Sequence, residues 1–161
     1  MEVYIVQFPE TKVAVAEHCG PPELEYQTSK RLIEWRIKNG VSPATHQAYG
    51  VHYTDPYTTP ADEHRVDICV SYELPVQPNA QGIIEKTIPA NRCAVARHLG
   101  SLSHNLAGVY LYKEWLPRSG EFLADFPAFF HYVNVGPNVL EHEMITDVYL
   151  PLKPLDHSET A

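Results

Sequence analysis

At 161 residues the chain has the length of one domain, and its 44% apolar and 20% charged residues are those of an ordinary globular protein. A formal charge of −8 opposes a sequence-independent grip on nucleic-acid phosphates, so direct nucleic-acid binding is not expected. No signal peptide is visible in MEVYIVQFPE, no apolar run reaches the roughly 18 residues of a membrane span, and Cys19, Cys69 and Cys93 are odd in number without C-x-x-C spacing, so a cytoplasmic protein away from membranes is expected.

The first strand is expected over Val3 to Gln7. In the second, Val13 to His18, Val13, Val15 and Glu17 alternate with Ala14, Ala16 and His18. The small Ala face suits close packing by a helix. Gly20 ends the strand, and a helix follows from about Glu23 to Asn39. Its stripe is Leu24, Thr28, Leu32 and Trp35; Pro22 sits in the first turn and Gly40 at the C-terminal cap. Strands are expected over His46 to Tyr53 and over Val66, Ile68, Val70 and Tyr72, separated by a turn-rich loop. Leu74 to Gly82 joins this half to the next.

The next half repeats the order. Strands are expected near Gly82 to Thr87 and Arg92 to Leu99. A helix runs near Leu102 to Leu116, with Leu102, Leu106, Val109 and Leu116 on one side, Ser101 or Ser103 as cap and Pro117 as terminator. Ala128 to Val133 and Met144 to Leu150 are the last strands, and residues 154–161 form a flexible tail.

The halves match each other at a shift of 80 residues. Lys12 to Gly20 lies on Arg92 to Gly100, Pro9 on Pro89, Glu34-Trp35 on Glu114-Trp115, and Gly40 on Gly120. One local slip, to 79, brings His52-Tyr53-Thr54-Asp55 onto His131-Tyr132-Val133-Asn134. We read this as a duplication, repeat one over 1–75 and repeat two over 81–153, within a single domain of residues 1–153. The expected fold class is α+β: duplicated βαββ units, a mostly antiparallel sheet, two helices on one face, and a central cleft between them.

The cleft is where function is expected. Candidate lining residues are Trp35, Tyr53, Tyr110, Trp115, Phe130 and Tyr132; the matched Trp35 and Trp115 read alternatively as closing the helix–sheet core of each half. The ten tyrosines suit a wide pocket for aromatic molecules. The matched His18 and His98 are expected to hold loop carbonyls. Cys19 and Cys93, on strands, read as inert core thiols. No catalytic residue, metal site or cofactor is assigned. The nine histidines show no helical H-x-x-x-H pair, and there is no nucleophile elbow, G-x-G-x-x-G or P-loop.

A set of motifs carries a family resemblance: Phe8 to Gly20, Tyr53-Thr-Asp-Pro56, Thr59-Pro-Ala-Asp62, Arg65-Val-Asp-Ile68, Ala94 to Gly100, and Asp147-Val-Tyr-Leu-Pro-Leu152. In order and spacing they resemble the GyrI-like family, the small-molecule-binding domain that also ends many AraC-type regulators, and most of all its stand-alone DNA gyrase inhibitor type. The resemblance implies a duplicated βαββ fold with a cleft for small amphipathic or aromatic molecules, often cationic. It also implies DNA gyrase as a partner and a bacterial, multidrug-binding or toxin-resistance role. Members carry a glutamate in a Phe-Glu-x-Tyr-Leu-Asn pattern; here the stretch is Phe129-Phe130-His131-Tyr132-Val133-Asn134, and Phe130 takes its place. That favours neutral or apolar ligands and a non-enzymatic binding module. The alternatives are a hydrolase of small electrophiles, with tyrosines such as Tyr53 or Tyr132, or else Glu34, Glu114 or His131, standing in for the acid, and a regulator subunit without its DNA-binding domain.

Overall fold

The computed structural model describes residues 1–55, 58–134, 136 and 138–155, except for the side chain of His104. Among them the strands are β1 (Tyr4–Phe8), β2 (Thr11–Cys19), β3 (Ala48–His52), β4 (Arg65–Ser71), β5 (Ile84–Ile88), β6 (Asn91–Leu99), β7 (Phe129–Tyr132) and β8 (Ile145–Pro151). All pair antiparallel in one sheet of order β1-β6-β8-β7-β3-β4-β2-β5. Helix α1 (Glu25–Asn39) packs on β2 and β4; α2 (Leu106–Tyr110) packs on β6 and β8. The fold is α+β. The tail expected over 154–161 lies largely outside the described residues, and so do Pro56, Tyr57, Val135 and Pro137.

Alternation along the strands builds three cores, one under each helix and one on the helix-free face. On the helix side, Ala14 and Ala16 lie under Leu32 and Trp35, and Ala94 and Ala96 lie under Ala107 and Leu111. With only a methyl on these strand positions, each helix sits close to the sheet. On the other side, Val13, Val15, Tyr49, Val51, Cys69, Cys93, Val95 and Phe129 form a separate core. The sheet is curled around it. Phe8 on edge strand β1 meets Tyr49 on β3 with ring centroids 5.9 Å apart. Four inter-strand steps of about 4.8 Å would separate them in a flat sheet.

Several sequence expectations change. The first strand of each half pairs in the other half: β1 with β6, and β5 with β2. The pairings of both halves are related by an offset of 80 throughout. Tyr49 opposes Cys69 as Phe129 opposes Tyr149, and Tyr53 N–H donates to Arg65 O as Val133 N–H donates to Ile145 O. The slip to 79 is therefore wrong: Tyr53 corresponds to Val133, and His52 to Tyr132. A one-residue slip exchanges the two faces of a strand, so the error matters for the site.

The helices differ as well. In α1, Thr28, Leu32 and Trp35 are buried as expected, but Leu24 lies in the 3-10 turn Pro22–Leu24 and is exposed. Gly40 caps α1 at φ 67°, a left-handed conformation that favours glycine. The second helix buries Ala107 and Leu111; Leu106 and Val109 face solvent. Ser101 caps the leading 3-10 turn Leu102–His104, accepting from Ser103 N–H at 3.2 Å, and Asn105 caps α2, accepting from Gly108 N–H at 3.0 Å. A π-helical turn (Leu111–Trp115) then absorbs one residue. The sheet-facing series is thus Thr28, Leu32, Trp35 in one helix and Ala107, Leu111, Trp115 in the other. Pro117 falls inside α3 (Leu116–Ser119), where a first-turn proline is tolerated, and the helix ends at Gly120.

Candidate functional site

Helices α1 and α2 stand on the outer strands, which leaves the central pair β3 and β7 as the floor between them. The register there pairs Ala48 with Tyr132, Tyr49 with His131, Gly50 with Phe130, and Val51 with Phe129. Tyr49, Val51 and Phe129 point into the helix-free core. Ala48, Gly50, His52, Phe130 and Tyr132, one position out of phase with them, face the helices. Gly50 and Phe130 face each other across the centre, and under the offset of 80 they are the same position in the two halves.

The glycine is explained by what covers it. A Cβ at residue 50 would lie 2.6 Å from Tyr132 Oη, 3.3 Å from Tyr132 Cζ and 3.4 Å from His52 Nε2. Gly50 lets Tyr132 lie down over the strand. Phe130 packs beside it on the α2 core, with its ring 4.0 Å from that of His52 and 6.4 Å from that of Tyr132. The floor is therefore paved by one imidazole and two aromatic rings.

Burial holds this floor uncharged. It lowers the pKa of His52 to about 4, helped by the nearby His64, so the imidazole is neutral at neutral pH. His52 Nε2 is buried and has no hydrogen-bond partner. The Tyr132 hydroxyl is pushed well above its ordinary pKa, first by burial, then by the charge of Glu25 and by Cys69. At one rim, Glu25 at the start of α1 accepts from His64 Nε2 at 2.9 Å. At another, Tyr112 of the π turn has its pKa raised by burial and then by Asp55, in the loop after β3.

The candidates named from sequence separate into several places. Phe130 and Tyr132 meet on the floor. Trp35 is buried beneath α1, edge-on to Tyr72 at 5.0 Å. Trp115 is half-buried against the core beneath α2, and Tyr110 is half-buried on α2. Tyr53 lies on the opposite face of the sheet. Its hydroxyl donates to Asp67 at 2.6 Å, and Lys86 Nζ bonds the same carboxylate oxygen at 2.8 Å and Glu17 at 2.9 Å. Burial, then Asp67, raises the Tyr53 pKa to about 12; for Lys86, burial opposes the charge but the bonds to Asp67 and Glu17 prevail and raise it.

Of the three residues weighed as replacement acids or bases, His131 also faces away from the helices, bonded to Gln47 Oε1 at 2.7 Å. Glu34 is exposed, and Glu114 pairs with Arg118. His18 and His98 do hold loop carbonyls, those of Gly20 and Pro21 and that of Ser101. Cys93 is a buried thiol, whereas Cys19 is exposed. Among the described residues no helix is long and apolar enough to cross a membrane.

Sequence reasoning missed Gly50 and His52. Aligned without a gap, Gly50 falls on Phe130 and His52 on Tyr132, so the signal was present; the local slip hid it.

The helices thus stand on strands to either side of the central pair β3 and β7. The chain belongs to the GyrI-like small molecule binding domain family, whose model matches residues 1–153. It is similar to the probable transcriptional regulator YgiV of Escherichia coli K12, at 40% identity over 94% of this chain and 96% of that protein. It is also similar, at 28% identity over 94% and 97% of the two chains, to the DNA gyrase inhibitor of Erwinia billingiae. Among solved structures, the EcmrR C-terminal domain shares the fold with a TM-score of 0.74 at 16% identity, covering 96% of this chain and 98% of that one.

Proposed function

We propose that the chain is a non-enzymatic receptor for neutral small aromatic or amphipathic molecules, bound between α1 and α2 over β3 and β7. The observation that carries this is the floor itself: His52, Phe130 and Tyr132 present ring faces and no carboxylate. Without a fixed negative charge beneath it, a cation would lose hydration without gaining an ion pair. A hydrolase would need an acid or base on the floor; Glu34, Glu114 and His131 lie elsewhere, and of the titratable groups that are there His52 is a weakened base and Tyr132 a phenol held protonated. The free cysteines support a cytoplasmic setting.

A thermal-shift screen with neutral aromatic, cationic and aliphatic compounds tests the reading. A ligand at a hundred times its Kd adds about 2.7 kcal/mol, or a rise of about 5–10 °C in Tm for a chain of this length. Stabilisation led by neutral aromatics is expected. A flat response across all classes at millimolar concentration rejects it. A gyrase contact is a second proposal, supported by the name of the Erwinia relative; inhibition of supercoiling at micromolar protein is its expected sign, and no effect rejects it.

A further inference from the structure

We propose that His52 is the polar anchor of this groove. Its Nε2 would take one hydrogen bond from or to a polar substituent on a flat, neutral aromatic ligand, while Phe130 and Tyr132 supply the apolar contact. Phenols, anilines and indoles are the ligand class. The inference rests on the small-molecule reading above and specifies which ligands that groove selects.

Four observations support it. First, buried polar atoms are nearly always paired, and His52 Nε2 is buried and unpaired. A ligand group that pairs it removes an existing deficit rather than replacing a good bond. Second, the atom is held in place. The His52 ring packs on Phe130 at 4.0 Å with an interplanar angle of 37°, which fixes the plane of the imidazole. Third, the polar atoms converge. Tyr132 Oη and His52 Nε2 lie 2.6 and 3.4 Å from the one point that a side chain at residue 50 would occupy. Glycine there leaves both atoms on the helix face beside the centre of the floor. Fourth, Glu25, the α1 carboxylate whose charge reaches Tyr132, already accepts a hydrogen bond from His64.

Polarity of this kind discriminates strongly. A site built to hydrogen-bond a substituent rejects the analogue that lacks it, because the buried group then stays unpaired. The neutral state of His52 suits a neutral partner.

The test uses the full chain and three probes of one ring system: naphthol, naphthalene and a naphthyl-trimethylammonium cation. Affinities are measured by fluorescence titration for the wild type, His52→Phe and His52→Gln. Naphthol is expected to bind about tenfold more tightly than naphthalene, equivalent to about 1.4 kcal/mol, with the cation weakest. His52→Phe should erase the preference while keeping naphthalene, and His52→Gln should keep part of it. Equal binding of naphthol and naphthalene to the wild type overturns the anchor and leaves the small-molecule reading standing. Binding of no probe rejects that reading itself. The side-chain nitrogen-15 resonance of His52 in the wild type is the second measurement, independent of whether the variants fold. It should move with naphthol and not with naphthalene; equal movement overturns the proposal.

Discussion

Gly50→Ala tests the central geometry of the floor. Gly50 has no positive φ, so alanine is conformationally acceptable there, and by itself that change would stabilise the chain by about 0.4–1 kcal/mol through the unfolded state. The new methyl, however, would sit 2.6 Å from Tyr132 Oη and 3.3 Å from Cζ. The tyrosine must tilt, and overpacking of this kind costs about 1–3 kcal/mol. The net expectation is a loss of about 1–2 kcal/mol, or roughly 2–8 °C in Tm. In a Tyr132→Phe background the closest contact disappears and 3.3 Å remains. There the same methyl should cost less than half as much, or nothing. Urea denaturation of the four members of this cycle measures the coupling between positions 50 and 132. Equal costs in both backgrounds, or a stabilised Gly50→Ala single variant, would refute the account of why residue 50 is glycine.

Other outcomes follow from named contacts. His52 stays neutral in the fold, with a pKa of about 4 against an ordinary 6.5, so the unfolded chain takes up its proton first as pH falls. Its contribution to stability is intact above pH 6.5 and is lost progressively down to pH 4, by up to about 3 kcal/mol; His52→Phe should flatten that part of the urea-stability profile, and an unchanged slope counts against the burial of this ring. Lys86→Met leaves the buried Asp67 carboxylate with Tyr53 as its remaining side-chain partner. A loss of about 2–3 kcal/mol is expected, below that of a fully buried pair because Lys86 keeps some contact with water. Trp35→Ala should cost about 3–5 kcal/mol by emptying the core beneath α1. Naphthol affinity well below the melting point should stay within a factor of two or so of wild type; a tenfold loss would put this side chain in the groove. Phe130→Glu should reverse the charge preference of the groove toward cations, read by the same titrations, and an unaltered ranking would remove Phe130 from the floor.

The pattern of the chain made much of the fold legible. Val13-Ala-Val-Ala16 announces a strand with a small face, and the helices do rest on Ala14 and Ala16. Trp35 and Gly40 landed where spacing put them. The second helix misled because its apolar residues fit a regular 3.6-residue stripe, while the π turn shifts which of them meet the sheet. Tyr53 and Tyr132 looked equivalent by identity with their neighbours, yet they lie on opposite faces. Trp35, a conspicuous aromatic, is core, whereas Gly50 and His52, which drew no notice, shape the floor.

Most strands, the first helix and the family were readable along the chain, because periodicity, caps and motif spacing are set by residues close in sequence. Which strands exchange partners between the halves, and which side chains meet across the centre of the sheet, emerged with the three-dimensional pairing. Those depend on pairing between segments some 80 residues apart, where a shift of one position sends every side chain to the other face. The opposition of Gly50 and Phe130, with His52 beside them, is a fact of that pairing alone.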